Sequence, residues 1–206
     1  MSAPETHPRG DSLFERAAAG DAAAMEQMLV DDLPRLEAYV RLQAGAAIRK
    51  KESISDLVQS ICVQVLKDLP KFEFQGLPQF RHWLCRHALH KLINKREFYG
   101  AGKRDMARER PATPGSGANT TVASVLQCYA TLCTPSRVAS GEEQLRRFET
   151  AFDRLPDDYR QAISLARIVG LDYAEIAQSM QRSEGAVRNL VYRGLARLSG
   201  ELNPPE

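Results

Sequence analysis

The apolar residues between Ser53 and Leu69 recur with the period of an α-helix. Ile54, Leu57, Val58, Ile61, Cys62, Val65, Leu66 and Leu69 follow a 3, 4 rhythm, which stacks them along one side of the helix. Such a helix must bury that side against other elements, and Pro70 stops it by removing a backbone donor. Nowhere in the 206 residues does the strict alternation of a half-buried strand persist, and no internal repeat is visible. These patterns predict an all-α fold, and a 43% hydrophobic content is enough to give it a core.

Two helical blocks flank a stretch of different composition. The first is expected over residues 10–100. Asp11 or Ser12 can cap a helix carrying Leu13, Phe14 and Ala17. A second helix starts near Asp21 with Met25, Met28 and Leu29, and a third carries Leu36, Tyr39, Val40 and Leu42. After the Ser53–Leu69 helix comes a loop over 71–78, then a long helix from about Gln79 with Phe80, Trp83, Leu84, Ala88 and Leu92 on its apolar side. Residues 101–141 include Gly102, Pro111, Pro114, Gly115, Gly117 and Pro135, a composition that opposes regular structure and reads as a flexible linker. Val122 to Leu132 is the stretch within it that could form a short helix.

The second block, 142–203, reads as four short helices. Leu145, Phe148 and Phe152 mark the first, which ends at Leu155-Pro156. Asp157 and Asp158 favour the start of the next, which runs to Val169 and stops at Gly170. The third is Tyr173 to Met180, and after a turn at Gln181 and Arg182, Ser183 caps the last.

The net charge of +2 says little, but its distribution says more. Between Gln79 and Arg110 stand nine Lys or Arg residues against three acids, the clustering expected of a phosphate-binding face. The plain alternative is a solvated basic helix face. Cys62, Cys85, Cys128 and Cys133 form no CxxC pair, and His82 with Cys85 has no second pair to complete a zinc site, so no metal or other cofactor is expected. None of His7, His82, His87 and His90 stands with a nucleophile or carboxylate in a catalytic constellation, and no phosphate-cradling glycine loop occurs, which argues against an enzyme. No run of about 18 apolar residues predicts a membrane span, and the N-terminus is not a secretory signal, so the cytoplasm is the expected location.

Tyr173 to Leu198 is a helix, a tight turn and a second helix. Ile176, Ala177 and Met180 would face Val187, Leu190 and Val191, leaving Arg182, Glu184, Arg188, Asn189 and Arg193 in solvent. A helix fits the DNA major groove, where Arg can bond two guanine acceptors and Asn an adenine. A plain helical hairpin with a polar outer face is the alternative on periodicity alone.

Leu155-Pro-Asp-Asp-Tyr-Arg160, Tyr173-Ala-Glu-Ile-Ala177, Ser183-Glu-Gly-Ala-Val187 and Arg193-Gly-Leu-Ala-Arg197 resemble region four of bacterial sigma factors. Asp56-Leu-Val-Gln59 and Phe80-Arg-His-Trp-Leu84, with the basic residues that follow, resemble region two. In a chain this short, the two in order resemble the extracytoplasmic-function class of the sigma-70 family. The resemblance implies a transcription initiation factor whose partners are core RNA polymerase and promoter DNA, both duplex and single-stranded, with an anti-sigma factor as a further partner. It implies that Asp56, Gln59, Ser60 and Val63 contact the polymerase. Phe72, Phe74, His90, Lys91, Asn94, Lys95 and Arg96 would serve the minus-ten element, and Arg182, Ser183, Glu184, Arg188, Asn189 and Arg193 the minus-thirty-five element. An autonomous helix-turn-helix regulator explains the second block equally well, but gives no reason for the motifs of the first.

Overall fold

The computed structural model describes residues 8–73, 76–100 and 142–202. Phe74 and the 101–141 stretch, with the short helix expected in it and Cys128 and Cys133, lie outside the described residues. Among those described there is no strand. The first block consists of α1 (Pro8–Ala18), α2 (Ala22–Arg49), α3 (Ile54–Asp68) and α4 (Leu77–Gly100). The second consists of α5 (Glu142–Asp153), α6 (Asp157–Ser164), α7 (Tyr173–Met180) and α8 (Glu184–Leu202).

The two helices expected between Asp21 and Leu42 are a single one. Asp21 starts α2 by accepting from the backbone of Ala23 at 3.0 Å and Ala24 at 3.2 Å. The helix runs through Pro34, whose missing N–H costs one rung of the ladder but not the helix. Met28, Leu36, Tyr39, Val40 and Leu42 are all buried along its length, and this packing outweighs the proline. A break comes instead at Gly45, where φ of +70° suits a residue without Cβ.

Ser53 caps α3, its hydroxyl facing the Asp56 amide at 3.5 Å, and Leu57, Val58, Ile61 and Val65 bury the expected stripe. Leu66, which the same rhythm places on that stripe, stays 48% exposed. A short 3₁₀ turn, Leu69–Lys71, follows. In α4, Phe80, Leu84, Ala88 and Leu92 are buried against α2 and α3.

In the second block, α6 widens into a π-type turn over Leu165–Val169 and ends at Gly170 in the left-handed region, φ +79°. The buried side chains of both blocks form one continuous core. The second block sits mainly on α2, with α5, α6 and the π-type turn all touching it, and the turn also reaches α4. No helix among the described residues is long and apolar enough to cross a membrane.

Candidate nucleic-acid interface

The α7–α8 pair is fixed at both ends by local chemistry. Asp172 accepts from the Glu175 amide at 2.7 Å while the Glu175 carboxylate accepts from the Asp172 amide at 2.9 Å, a closed capping box. At the far end Gln181 adopts the left-handed conformation, φ 53° and ψ 45°, which the tight turn requires of it. The Arg182 amide then bonds back to the Ala177 carbonyl at 2.9 Å. Ser183 starts α8 by accepting from the Ala186 amide at 3.3 Å. Ile176, Ala177, Val187 and Val191 are buried between the two helices, and Leu190 is half-buried.

This leaves Arg182, Ser183, Glu184, Arg188, Asn189 and Arg193 exposed together on the first half of α8 and the turn before it. Two of the arginines have partners. Arg182 pairs with Asp158, and Arg188 lies over the Tyr173 ring at 5.3 Å, a cation–π contact. Tyr192, 57% exposed, lies one turn beyond Arg188 on the same face. Sequence reasoning missed both tyrosines. Tyr192 was open to detection by its i+4 spacing from Arg188, whereas Tyr173 reaches Arg188 only through the fold.

In the first block the residues divide into two groups. Asp56, Gln59 and Val63 are exposed along α3, and Ser60 is half-buried beside them. On α4, His90 and Asn94 are exposed and Lys91 is half-buried, so these three share an accessible surface. The other basic residues are engaged. Lys95 bonds Glu52, which also accepts from the Tyr99 hydroxyl. These donors hold the Glu52 carboxyl below the usual carboxylate range, and the Glu52 carboxylate in turn raises the Lys95 ammonium. Arg96 donates to the Gln43 carbonyl and faces Asp157 of the second block at 3.9 Å.

Phe72 packs half-buried against Trp83, ring centroids 4.6 Å apart, with Phe80 6.0 Å away. Trp83 is half-buried in this cluster, with His87 edge-on to it at 4.7 Å. Burial, and then the neighbouring Arg86, lower the His82 imidazole, which is bonded to the Ser179 hydroxyl at 2.8 Å. Cys85 is buried, and burial raises its thiol far above the ordinary range. No three metal-ligating side chains converge among the described residues.

Residues 145–198 match the family model described as Sigma-70, region 4. Along nearly the whole chain the sequence is similar to the ECF RNA polymerase sigma factor SigD of Mycobacterium tuberculosis, 27% identical with 94% of this chain and 84% of that protein covered. It is also similar to the ECF RNA polymerase sigma factor ShbA of Streptomyces griseus, 28% identical over 91% of this chain and 92% of that one. The ECF RNA polymerase sigma-E factor of Escherichia coli is 25% identical, with 93% of each covered. A solved structure of CnrH in complex with the cytosolic domain of CnrY has the same fold, with a TM-score of 0.59, 21% identity, and 95% and 97% of the two chains covered.

Proposed function

We infer that this chain, a member of the extracytoplasmic-function class of the sigma-70 family, binds core RNA polymerase and directs promoter-specific initiation of transcription. The observation that carries this reading is the exposed face of α8, where Arg188, Asn189 and Arg193 project from a helix anchored by Val187 and Val191. That geometry suits insertion into a major groove, with the N-terminal residues of the helix at the base edges. It lies inside the stretch matched by the region 4 model.

Within this reading, Arg188 and Asn189 read bases of the minus-thirty-five element, while Arg182, Ser183 and Arg193 hold phosphates and Glu184 tunes the same surface. Tyr173 keeps the Arg188 guanidinium stacked and extended. The α3 stripe of Asp56, Gln59 and Val63, with Ser60 at its margin, docks on the polymerase. His90, Lys91 and Asn94 hold the unpaired strand of the minus-ten element, with Lys95 and Arg96 on its phosphates. Phe72, half-buried on Trp83, borders that surface and contributes its exposed edge to it. The chain works in the cytoplasm, the chemistry of RNA synthesis belongs to the polymerase, and an anti-sigma factor is the inhibitory partner that the class admits.

Binding to the polymerase separates this function from that of an autonomous regulator. Mixed with purified core enzyme and sedimented, the chain should travel with it as a stoichiometric complex. A chain that stays free, yet binds one duplex sequence tightly, would be a regulator instead.

A further inference from the structure

Phe98 is the most exposed large apolar side chain among the described residues, with 76% of its surface in solvent. One bare apolar residue is ordinary on a soluble chain. The groups around this one are not.

Tyr99, next in the chain, meets Phe98 edge-on, with ring centroids 5.2 Å apart at 74°. The Tyr99 hydroxyl donates to Glu52, which also accepts from Lys95, and Lys51 lies over the Tyr99 ring at 4.3 Å. Tyr99 is thus fixed from the connection between α2 and α3, and it steadies one edge of Phe98 while most of that ring stays in water. Lys95 and then Tyr99 hold Glu52 below the usual carboxylate range, so the support persists through mildly acidic pH. A ring steadied in advance loses little freedom when a planar group lands on it.

The surround is basic. Lys50 and Lys51 are exposed just past the end of α2, and Lys91 and Lys95 are half-buried on α4. Against them stand Glu97 and Glu52, the latter already committed to Lys95 and Tyr99. The core of a protein interface is depleted of lysine, so this setting does not suit a partner protein. An aromatic among cations is instead the make-up of surfaces that track a phosphate backbone and stack its bases. The residues that follow α4 are ill suited to cover the ring themselves, because Lys103, Arg104, Arg108 and Arg110 outnumber Asp105 and Glu109 there and carry the same sign as the lysines. Finally, His90, Asn94 and Phe98 are all exposed at i, i+4 and i+8 of α4, a line about 12 Å long. Phe98 therefore continues the surface that the proposed function gives to the unpaired strand.

We propose that Phe98 is a stacking platform for a base of single-stranded DNA, with Lys51 on an adjoining phosphate, and that it extends the strand-holding face of α4 to the end of that helix. The inference rests on the proposed function only for the identity of the strand, the unpaired one of the promoter. Single-strand binding itself is read on the free chain.

The test uses the full chain with labelled oligo-dT, the oligo-dA·oligo-dT duplex and oligo-rU, each followed by anisotropy over a range of salt. Phe98→Ala should weaken oligo-dT binding about fivefold or more, the loss of one stacked base, without changing the salt slope. Lys51→Gln should flatten the slope of log K against log salt by about 0.7, the share of one phosphate in a single strand. Phe98→Trp, which keeps a stacking face, should bind oligo-dT as the parent does. Duplex binding should stay as in the parent for all three. A parent that does not bind oligo-dT, or Phe98→Ala that binds it unchanged, overturns the platform; a lower melting midpoint in that variant would then assign the ring to another segment of this chain. Equal losses on single strand and duplex overturn it too, and a loss confined to oligo-rU would assign the ring to RNA instead. Initiation by the parent chain with core polymerase, measured alongside, tests the proposed function separately, since either result can fail while the other stands.

Discussion

At the scale of single residues, the proposed function assigns specificity and affinity to different side chains. Arg188 projects from α8 with its guanidinium steadied by Tyr173. Replacing it with alanine should cost about 1–3 kcal/mol at one upstream promoter position and relax preference there. Lys95→Ala should instead weaken binding to all promoters alike and flatten the salt dependence, once the ion pair with Glu52 is allowed for. Competition binding across a set of single-base promoter variants distinguishes the two, and identical profiles would contradict the division. Gln181 is the one residue other than glycine at positive φ among those described. Gln181→Gly should relieve a left-handed strain of about 1 kcal/mol. After the entropy glycine adds to the unfolded chain, about 0.5 kcal/mol of stabilisation should remain in a thermal melt. The turn at Gln181 and the Ser183 cap are both legible in the sequence, because each follows from neighbours within four residues, whereas the left-handed conformation of Gln181 is not, since no glycine announces it. The pairing of Arg96 with Asp157 is not, since nothing local to Arg96 announces an aspartate from the other block.

At the scale of elements, the tightest meeting is between α6 and α8. A Cβ at Gly194 would lie 2.7 Å from the Ile163 Cδ1 atom and 3.2 Å from the Tyr159 Cβ atom, so a side chain there must push the buried Ile163 terminus aside and crowd Tyr159. Gly194→Ala should therefore destabilise the second block by about 1–3 kcal/mol, visible as a lower midpoint in denaturant with unchanged slope. On α3, Asp56→Asn keeps the volume and removes the charge of an exposed side chain in the first turn of the helix. It should weaken polymerase binding while leaving the melt within about 1 kcal/mol, the most that a carboxylate at an exposed helix N-terminus contributes. Unchanged polymerase affinity would remove Asp56 from the proposed docking stripe. Periodicity locates α3, α7 and α8 well because their apolar stripes are narrow and local. It divides α2 in two between Leu29 and Leu36, where Pro34 stands, and the burial of residues on both sides keeps the helix whole.

At the scale of the whole molecule, the order of the motifs in the chain gives the two blocks and the stretch between them, but not how the blocks meet. Glu149, Asp153, Arg41 and Arg49 read as ordinary polar residues of surface helices, and Glu149 proves to be buried between blocks. Long-range charge pairing of this kind leaves no periodic trace, which is why the candidate DNA face of α4 seems fully open in the sequence and is partly enclosed in the fold. In the proposed function this chain confers promoter choice on core polymerase. It is tested most directly by transcription in vitro with purified core enzyme on fragmented genomic DNA, mapping the 5′ ends of the transcripts. A defined set of start sites is expected, each preceded by shared elements near minus ten and minus thirty-five and absent with core enzyme alone. Start sites identical with and without the chain would contradict it.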